Sequence, residues 1–352
     1  MCICGIVRYC GVDCQRDHWL AHKQDCQTVV DGKGMGLVAT RRIAVGKVII
    51  VESPIITHLG WTENFQQFVD KFQELTVEQK MMYISLLHDP EDNNKVVNKE
   101  MIDKVKDFEE EALAIYKVWR ILWANSVYIG KKNGLKEKGI YLKISHINHS
   151  CKSNVVFGLV EGGENKMSIT TCRVINKNQE ILLNYIGAES IFNAKKERQA
   201  ELEENWHFTC KCDVCSLTGE QLDQNDQVRN MIQSFTEKIR SLSQPTLEIT
   251  EQALAFGMEK LELMENIMEE VLAAFPVALM DCYGQARIIK YLGGQVKVEP
   301  ESFRERADDV CSMLGPSTRK ICREVEEETD MIINIISQMK ENSKNDDEQD
   351  PH

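Results

Sequence analysis

The chain has 352 residues with 43% hydrophobic side chains, enough for two or three domains with buried cores. Its 55 acidic and 42 basic side chains leave a formal charge of −13, which opposes phosphate neutralisation and speaks against a DNA- or RNA-binding protein. The same charge suits a surface that attracts basic proteins or peptides, although much of it lies in Glu/Asp-rich helical stretches and the C-terminal tail.

No apolar run reaches membrane-spanning length, and Met1 leads directly into cysteines without a signal-peptide core, so no membrane association is expected and cytoplasm and nucleus are the expected compartments. In those compartments the thirteen cysteines read as thiols or metal ligands instead of disulfides. Nine fall in three places: Cys2 to Cys26, Cys151, and Cys210 to Cys215. Cys172, Cys282, Cys311 and Cys322 sit in apolar surroundings and read as core residues.

Residues 1–26 are too short for a hydrophobic core, so metal must substitute for one. Cys10-x3-Cys14 and His22-x3-Cys26 supply ligand spacings, with Cys2 and Cys4 ahead and His18 nearby. The i, i+4 spacing places His22 and Cys26 on one helix face. In DGKGMGLVATRRIAVGKVIIVESPIITH, the runs LVAT, VIIV and IIT read as strands separated by glycine turns. Residues 62–129 carry apolar stripes at helical spacing in FQQFVDKFQEL, VEQKMMYISLLH and EEEALAIYKVWRILWANSVYI, and KKNGLKEKG reads as a loop. Strands return in VVFGLV, MSITTCRVI and EILLNY, with EGGENK as a hairpin loop. A charged helix over about 189–205 leads into WHFTCKCDVC, and 223–339 is mostly helical with breaks near Pro245, Pro276, Gly293-Gly294 and Gly315-Pro316. Those helices suit either a plain bundle or hairpins stacked as a short solenoid. The tail KENSKNDDEQDPH is expected to be disordered.

Cys210, Cys212 and Cys215 form C-x-C-x-x-C, a strong zinc signal that lacks a fourth ligand beside it. His207 is one candidate; Cys151 in SHINHSCKSN would complete a four-thiolate site. On its own, that stretch has a bland reading too: Asn148 can hold a turn through its side chain, and a lone cysteine is usually a small buried hydrophobe.

Taken in order, these segments resemble one family. YCGVDCQRDHWLAHKQDC resembles the second half of a MYND zinc module, GKGMGLVATRRIAVGKVI the opening strand region of a SET domain, and ISHINHSCKSN its asparagine-histidine-serine-cysteine motif. QEILLNY is similar to the strand ending in the family's tyrosine, and WHFTCKCDVC resembles the post-SET zinc segment. Together they resemble the SET and MYND domain-containing protein lysine methyltransferases over roughly residues 1–216.

The resemblance implies an α+β fold: a β-rich SET core with a helical insertion, small zinc modules and a C-terminal all-helical, TPR-like domain. The implied boundaries are 1–27 for a partial MYND-type finger, 28–60 for the first part of SET, 61–130 for the insertion, 131–188 for the SET core, 189–218 for the post-SET segment, 219–340 for the helical domain and 341–352 for the tail. It implies S-adenosylmethionine as methyl donor, touched by Lys33, Gly34, Met35, Gly36, Asn125, Asn148, His149, Tyr185 and Phe208. Tyr185 is the implied catalytic residue at the methyl-transfer pore, and Trp206 joins it in walling the lysine channel. One zinc is implied at Cys151, Cys210, Cys212 and Cys215, and one or two in the N-terminal module through Cys2, Cys4, Cys10, Cys14, His22 and Cys26.

The expected substrate is a lysine-bearing protein or peptide such as a histone, acted on by a monomer, with a protein partner at the N-terminal module. Three departures from the family pattern accompany the resemblance. The module usually carries another cysteine pair upstream; here it precedes the glycine segment instead of interrupting the SET domain; and Ser153, Met35 and Trp206 replace a proline, a polar residue and a tyrosine. The alternative reading is a catalytically silent SET/MYND-like scaffold for protein partners.

Overall fold

Short β-branched runs punctuated by glycine dominate the first half of the chain, and long amphipathic stretches dominate the second. The structure follows that change. A computed structural model describes residues 28–30, 34–59, 65–84, 86, 121–132, 134–187, 190–242 and 245–347. It divides into two compact units, residues 1–183 and 184–352.

Among the described residues, the first unit holds ten short strands in four small sheets. β1 (Thr28–Val30) pairs antiparallel with β2 (Gly34–Gly36). β3 (Val48–Glu52), β9 (Met167–Thr171) and β8 (Val155–Leu159) form an antiparallel sheet with β9 central. Every residue of that central strand is buried. β4 (Ile56–Leu59), β6 (Leu135–Ile140) and β5 (Val127–Lys132) form another, with β6 central. β7 (Asn148–His149) pairs in parallel with β10 (Leu182–Leu183).

Helices α1 (Phe65–Glu74) and α2 (Val77–Ile84) place Phe68, Val69 and Tyr83 against Ile56, Ile121, Leu122 and Ile140 in one core. Phe72 and Tyr83 meet edge to face with ring centroids 5.2 Å apart. The helical stripe expected to reach residue 129 stops at residue 125, and Val127–Lys132 is strand. KKNGLKEKG, expected to be a loop, instead belongs to the β5–β6 hairpin, with Gly134 at φ +78° in its turn. Its alternation was hidden because Lys131, Lys132, Leu135 and Lys136 all face solvent, so the segment shows charge without period.

The second unit is helical apart from its first residues. α3 (Lys195–Trp206), α4 (Gly219–Ser241), α5 (Leu247–Asn266), the single turn α6 (Met268–Val271), α7 (Phe275–Tyr291), α8 (Pro300–Leu314) and α9 (Pro316–Asp347) follow in order. α7 is the buried centre, packing on α5, α8 and α9. Its Gly284 lets α9 approach closely: a Cβ there would stand 2.6 Å from Thr329 Oγ1. Pro276 lies in the first turn of α7, where it costs no hydrogen bond, and the expected break falls just before it, between α6 and α7. α9 runs to Asp347, into the segment expected to be disordered from residue 341. Among the described residues, no helix is long and apolar enough to cross a membrane.

Candidate active site and metal centre

One strand organises the first unit's candidate site. On one side Ala39 N donates to Gln179 O (2.9 Å), Asn178 N to Ala39 O (2.7 Å) and Ile181 N to Leu37 O (2.8 Å). On the other, Leu182 and Leu183 pair with Asn148 and His149, and Ser150 N donates to Leu183 O (3.0 Å). The chain leaving the β2 glycines and the NHSCKSN segment thus flank the same backbone, which ends two residues before Tyr185.

Asn154 completes the clasp. Its N–H donates to Leu182 O (3.0 Å), its Nδ2 to Glu180 O (2.8 Å), and its Oδ1 accepts from Leu182 N (2.8 Å). A buried side chain here takes the place of a neighbouring strand.

The carboxamide of Asn148 is oriented in turn by Glu180, whose Oε1 accepts from its Nδ2 at 2.8 Å. His149 Nε2 lies 3.4 Å from Cys151 Sγ, so the ring is turned toward that sulfur. The turn of 3-10 helix before this segment, Ile144–His146, begins under Glu52, which accepts from Lys143 N (2.9 Å) and Ile144 N (3.1 Å). Burial pushes the Glu52 carboxyl above its ordinary 4.5, and the two backbone donors oppose that shift by favouring the anion.

In the second unit the half-buried Tyr185 is packed by two rings. Trp206 lies 5.4 Å from it, tilted by 46°, and Phe208 lies 6.4 Å away at 88°. The chain reverses between Trp206 and Phe208 because His207 adopts a left-handed conformation (φ 57°) and donates its N–H to Glu203 O, capping α3. His207 is exposed in that cap.

α3 also holds the cysteine segment. Gln199 grips Cys210 from both sides, accepting from its N–H (2.8 Å) and donating to its carbonyl (2.7 Å). Cys212 N donates to Cys210 Sγ (3.4 Å), and Arg198 Nη2 lies 4.0 Å from Cys215 Sγ. Such N–H groups stabilise thiolates by hydrogen bonding and charge.

The sulfurs of Cys151, Cys210, Cys212 and Cys215 all lie within 4.8 Å of one another. Tetrahedral zinc with bonds of about 2.3 Å needs sulfur–sulfur edges of about 3.8 Å, so a small contraction would seat the ion. The four cysteines are therefore a cluster capable of coordinating a metal, and an all-sulfur donor set suits zinc. The fourth sulfur is that of Cys151, with His207 outside the cluster.

Residues 34–186 match the SET domain family, from the β2 glycines to one residue past Tyr185, and residues 1–26 match the MYND finger family. The chain is 25% identical over 231 residues to the histone-lysine N-methyltransferase ASHR1 of Arabidopsis thaliana, covering 62% of this chain and 44% of that protein. It is 21% identical over 284 residues to the histone-lysine N-methyltransferase SMYD1 of Homo sapiens, covering 76% and 52% respectively. It is 23% identical over 251 residues to the histone-lysine N-methyltransferase SMYD3 of Mus musculus, covering 68% and 54%. The chain thus spans about half the length of these relatives.

Within the SET domain, Gly34, Met35 and Gly36 form β2, and Gly36 is buried. Asn125 ends its helix and donates Nδ2 to Ile121 O (3.0 Å). Lys33 and the expected N-terminal metal ligands Cys2, Cys4, Cys10, Cys14, His22 and Cys26 lie outside the described residues. Glu52, Asn154 and Gln199 are structural partners of the site that sequence reasoning left out. Of these, only Asn154 carried a local signal, as the last residue of NHSCKSN.

Proposed function

We propose that this chain is an S-adenosylmethionine-dependent protein-lysine N-methyltransferase, with Tyr185 at its transfer point. The carrying observation is the segment 178–183: the glycine segment runs along one side, the Asn148-His149 pair along the other, and Tyr185 follows its end.

S-adenosylmethionine, when bound, supplies an electrophilic methyl on a sulfonium. In this reading the backbone around Gly34 and Gly36 and the Asn148 carboxamide hold the donor. Glu180 fixes which end of that carboxamide faces outward. Methyl transfer to an amine is an in-line displacement, so positioning accounts for most of what the protein must do.

Tyr185, Trp206 and Phe208 offer aromatic faces that would admit an apolar lysine stem and attract its ammonium before proton loss. Desolvation among those rings would lower the lysine pKa and favour the neutral amine. The Tyr185 hydroxyl serves to orient that amine and is not a nucleophile.

Zinc at Cys151, Cys210, Cys212 and Cys215 would hold the post-SET segment in this reading, and a second site in residues 1–26 would order the MYND finger. The helical unit is taken as TPR-like and as a surface for basic protein partners, with histone tails the first substrates to try. Nucleus and cytoplasm are the compartments proposed.

The deciding experiment incubates the purified chain and radiolabelled donor with histones and with a cytosolic extract, beside a Tyr185→Phe control. Label on a protein lysine that disappears in the control supports the enzyme. Donor binding without transfer to any protein would leave the silent scaffold.

A further inference from the structure

α8 and α9 are joined at Gly315, whose φ of 94° turns the chain between them. At the closed end of this hairpin, Cys311 on α8 and Cys322 on α9 bring their sulfurs to 3.4 Å. We propose that these two thiols are a peroxide-reactive site that closes to an intrachain disulfide and staples α8 to α9. This site is independent of the methyl-transfer reading.

Three observations carry it. A disulfide needs sulfurs at about 2.05 Å, and the remaining gap of about 1.4 Å is within reach of side-chain rotation. The short connection keeps the two residues near each other through local fluctuations of the hairpin. The pair is shielded from solvent, but the exposed side chains of Asp308 and Arg319 both act electrostatically on Cys311, so the cover is shallow.

The two sulfurs are also unequal. A hydrogen bond from Cys322 pulls the Cys311 thiol below its ordinary 9.0, and the same bond holds the Cys322 thiol up. The Cys311 thiolate therefore attacks first. Its sulfur takes one oxygen from hydrogen peroxide as the O–O bond breaks, giving a sulfenic acid and releasing water once the hydroxide is protonated. The Cys322 sulfur then displaces the hydroxyl of the sulfenic acid, forming the S–S bond and releasing a second water. Two thiols are oxidised and one peroxide is reduced to two waters.

The other scattered cysteines serve as internal references. Burial pushes the Cys172 thiol up to about 11 and the Cys282 thiol up to about 12, so both should stay reduced.

The test treats the zinc-loaded, folded protein with graded hydrogen peroxide, alkylates remaining thiols and maps peptides by mass. The expected result is equal loss of alkylatable Cys311 and Cys322 and one peptide pair linked through them, two hydrogens lighter, with Cys172 and Cys282 still fully alkylated. In Cys322→Ser, a sulfenic-acid trapping reagent should label Cys311; in Cys311→Ser, Cys322 should stay alkylatable. The proposal is overturned if both thiols remain alkylatable at peroxide doses that eject zinc from the Cys151 cluster. Linkage of either one to a different cysteine overturns it as well. The wild-type map decides the matter even if a serine variant fails to fold.

Discussion

Asn154 and Leu182 exchange hydrogen bonds in both directions: the Asn154 backbone N–H reaches Leu182 O at 3.0 Å, and Leu182 N–H reaches Asn154 Oδ1 at 2.8 Å. The remaining side-chain donor, Nδ2, takes Glu180 O. Asn154→Ala would remove two part-buried hydrogen bonds to this segment, a loss of about 1–3 kcal/mol. Urea unfolding checks it. Asn154→Asp keeps the acceptor but sets a carboxylate against Glu180 O, so it should rescue little.

Tyr185 tests the chemistry. Tyr185→Phe keeps the ring contacts with Trp206 and Phe208, so the loss of activity should exceed any loss of stability. On the proposed methyl-transfer reading, removing this hydroxyl should lower kcat by about 10²-fold. Equal losses of stability and activity would mean that the hydroxyl is structural.

The thiol cluster predicts a metal count. Cys212→Ser should remove one zinc per chain, measured by elemental analysis, whereas Cys282→Ser should remove none. A chelator should lower the melting temperature of the wild type by more than that of Cys212→Ser, because the variant has already lost that ion.

Glu52 predicts a slope with pH. Its folded carboxyl titrates above its ordinary 4.5, so just above that value the folded chain keeps a proton that the unfolded chain releases. Stability from this group therefore falls as pH rises through the window and is recovered on acidification. Glu52→Gln should flatten that part of the stability–pH curve while keeping an oxygen for Lys143 N and Ile144 N. An unchanged slope would contradict the assignment.

Much of the architecture was legible because local patterns report local physics. The stripes in FQQFVDKFQEL and VEQKMMYISLLH reappear as α1 and α2, and the alternation of VVFGLV and MSITTCRVI as β8 and β9. The β5–β6 hairpin was not legible, since Lys131, Lys132, Leu135 and Lys136 around its turn all face water and leave no apolar alternation. The partners of Glu52 and Glu180 were not legible for a related reason. Those partners, Lys143 with Ile144 and Asn148, are distant in sequence, and nothing near either glutamate announces them.

By itself, the amino-acid order determined which residue types stand where: a thiol trio, a lone thiol far upstream, a glycine segment and a tyrosine after a short strand. That order constrains chemistry because sulfur, amide and phenol groups differ in what they can hold. Only the tertiary structure decided which of them meet, through the clasp around residues 178–183 and the four sulfurs within 4.8 Å. Long-range pairing depends on backbone groups that every residue carries, so its partners leave no mark on the sequence until the chain is folded.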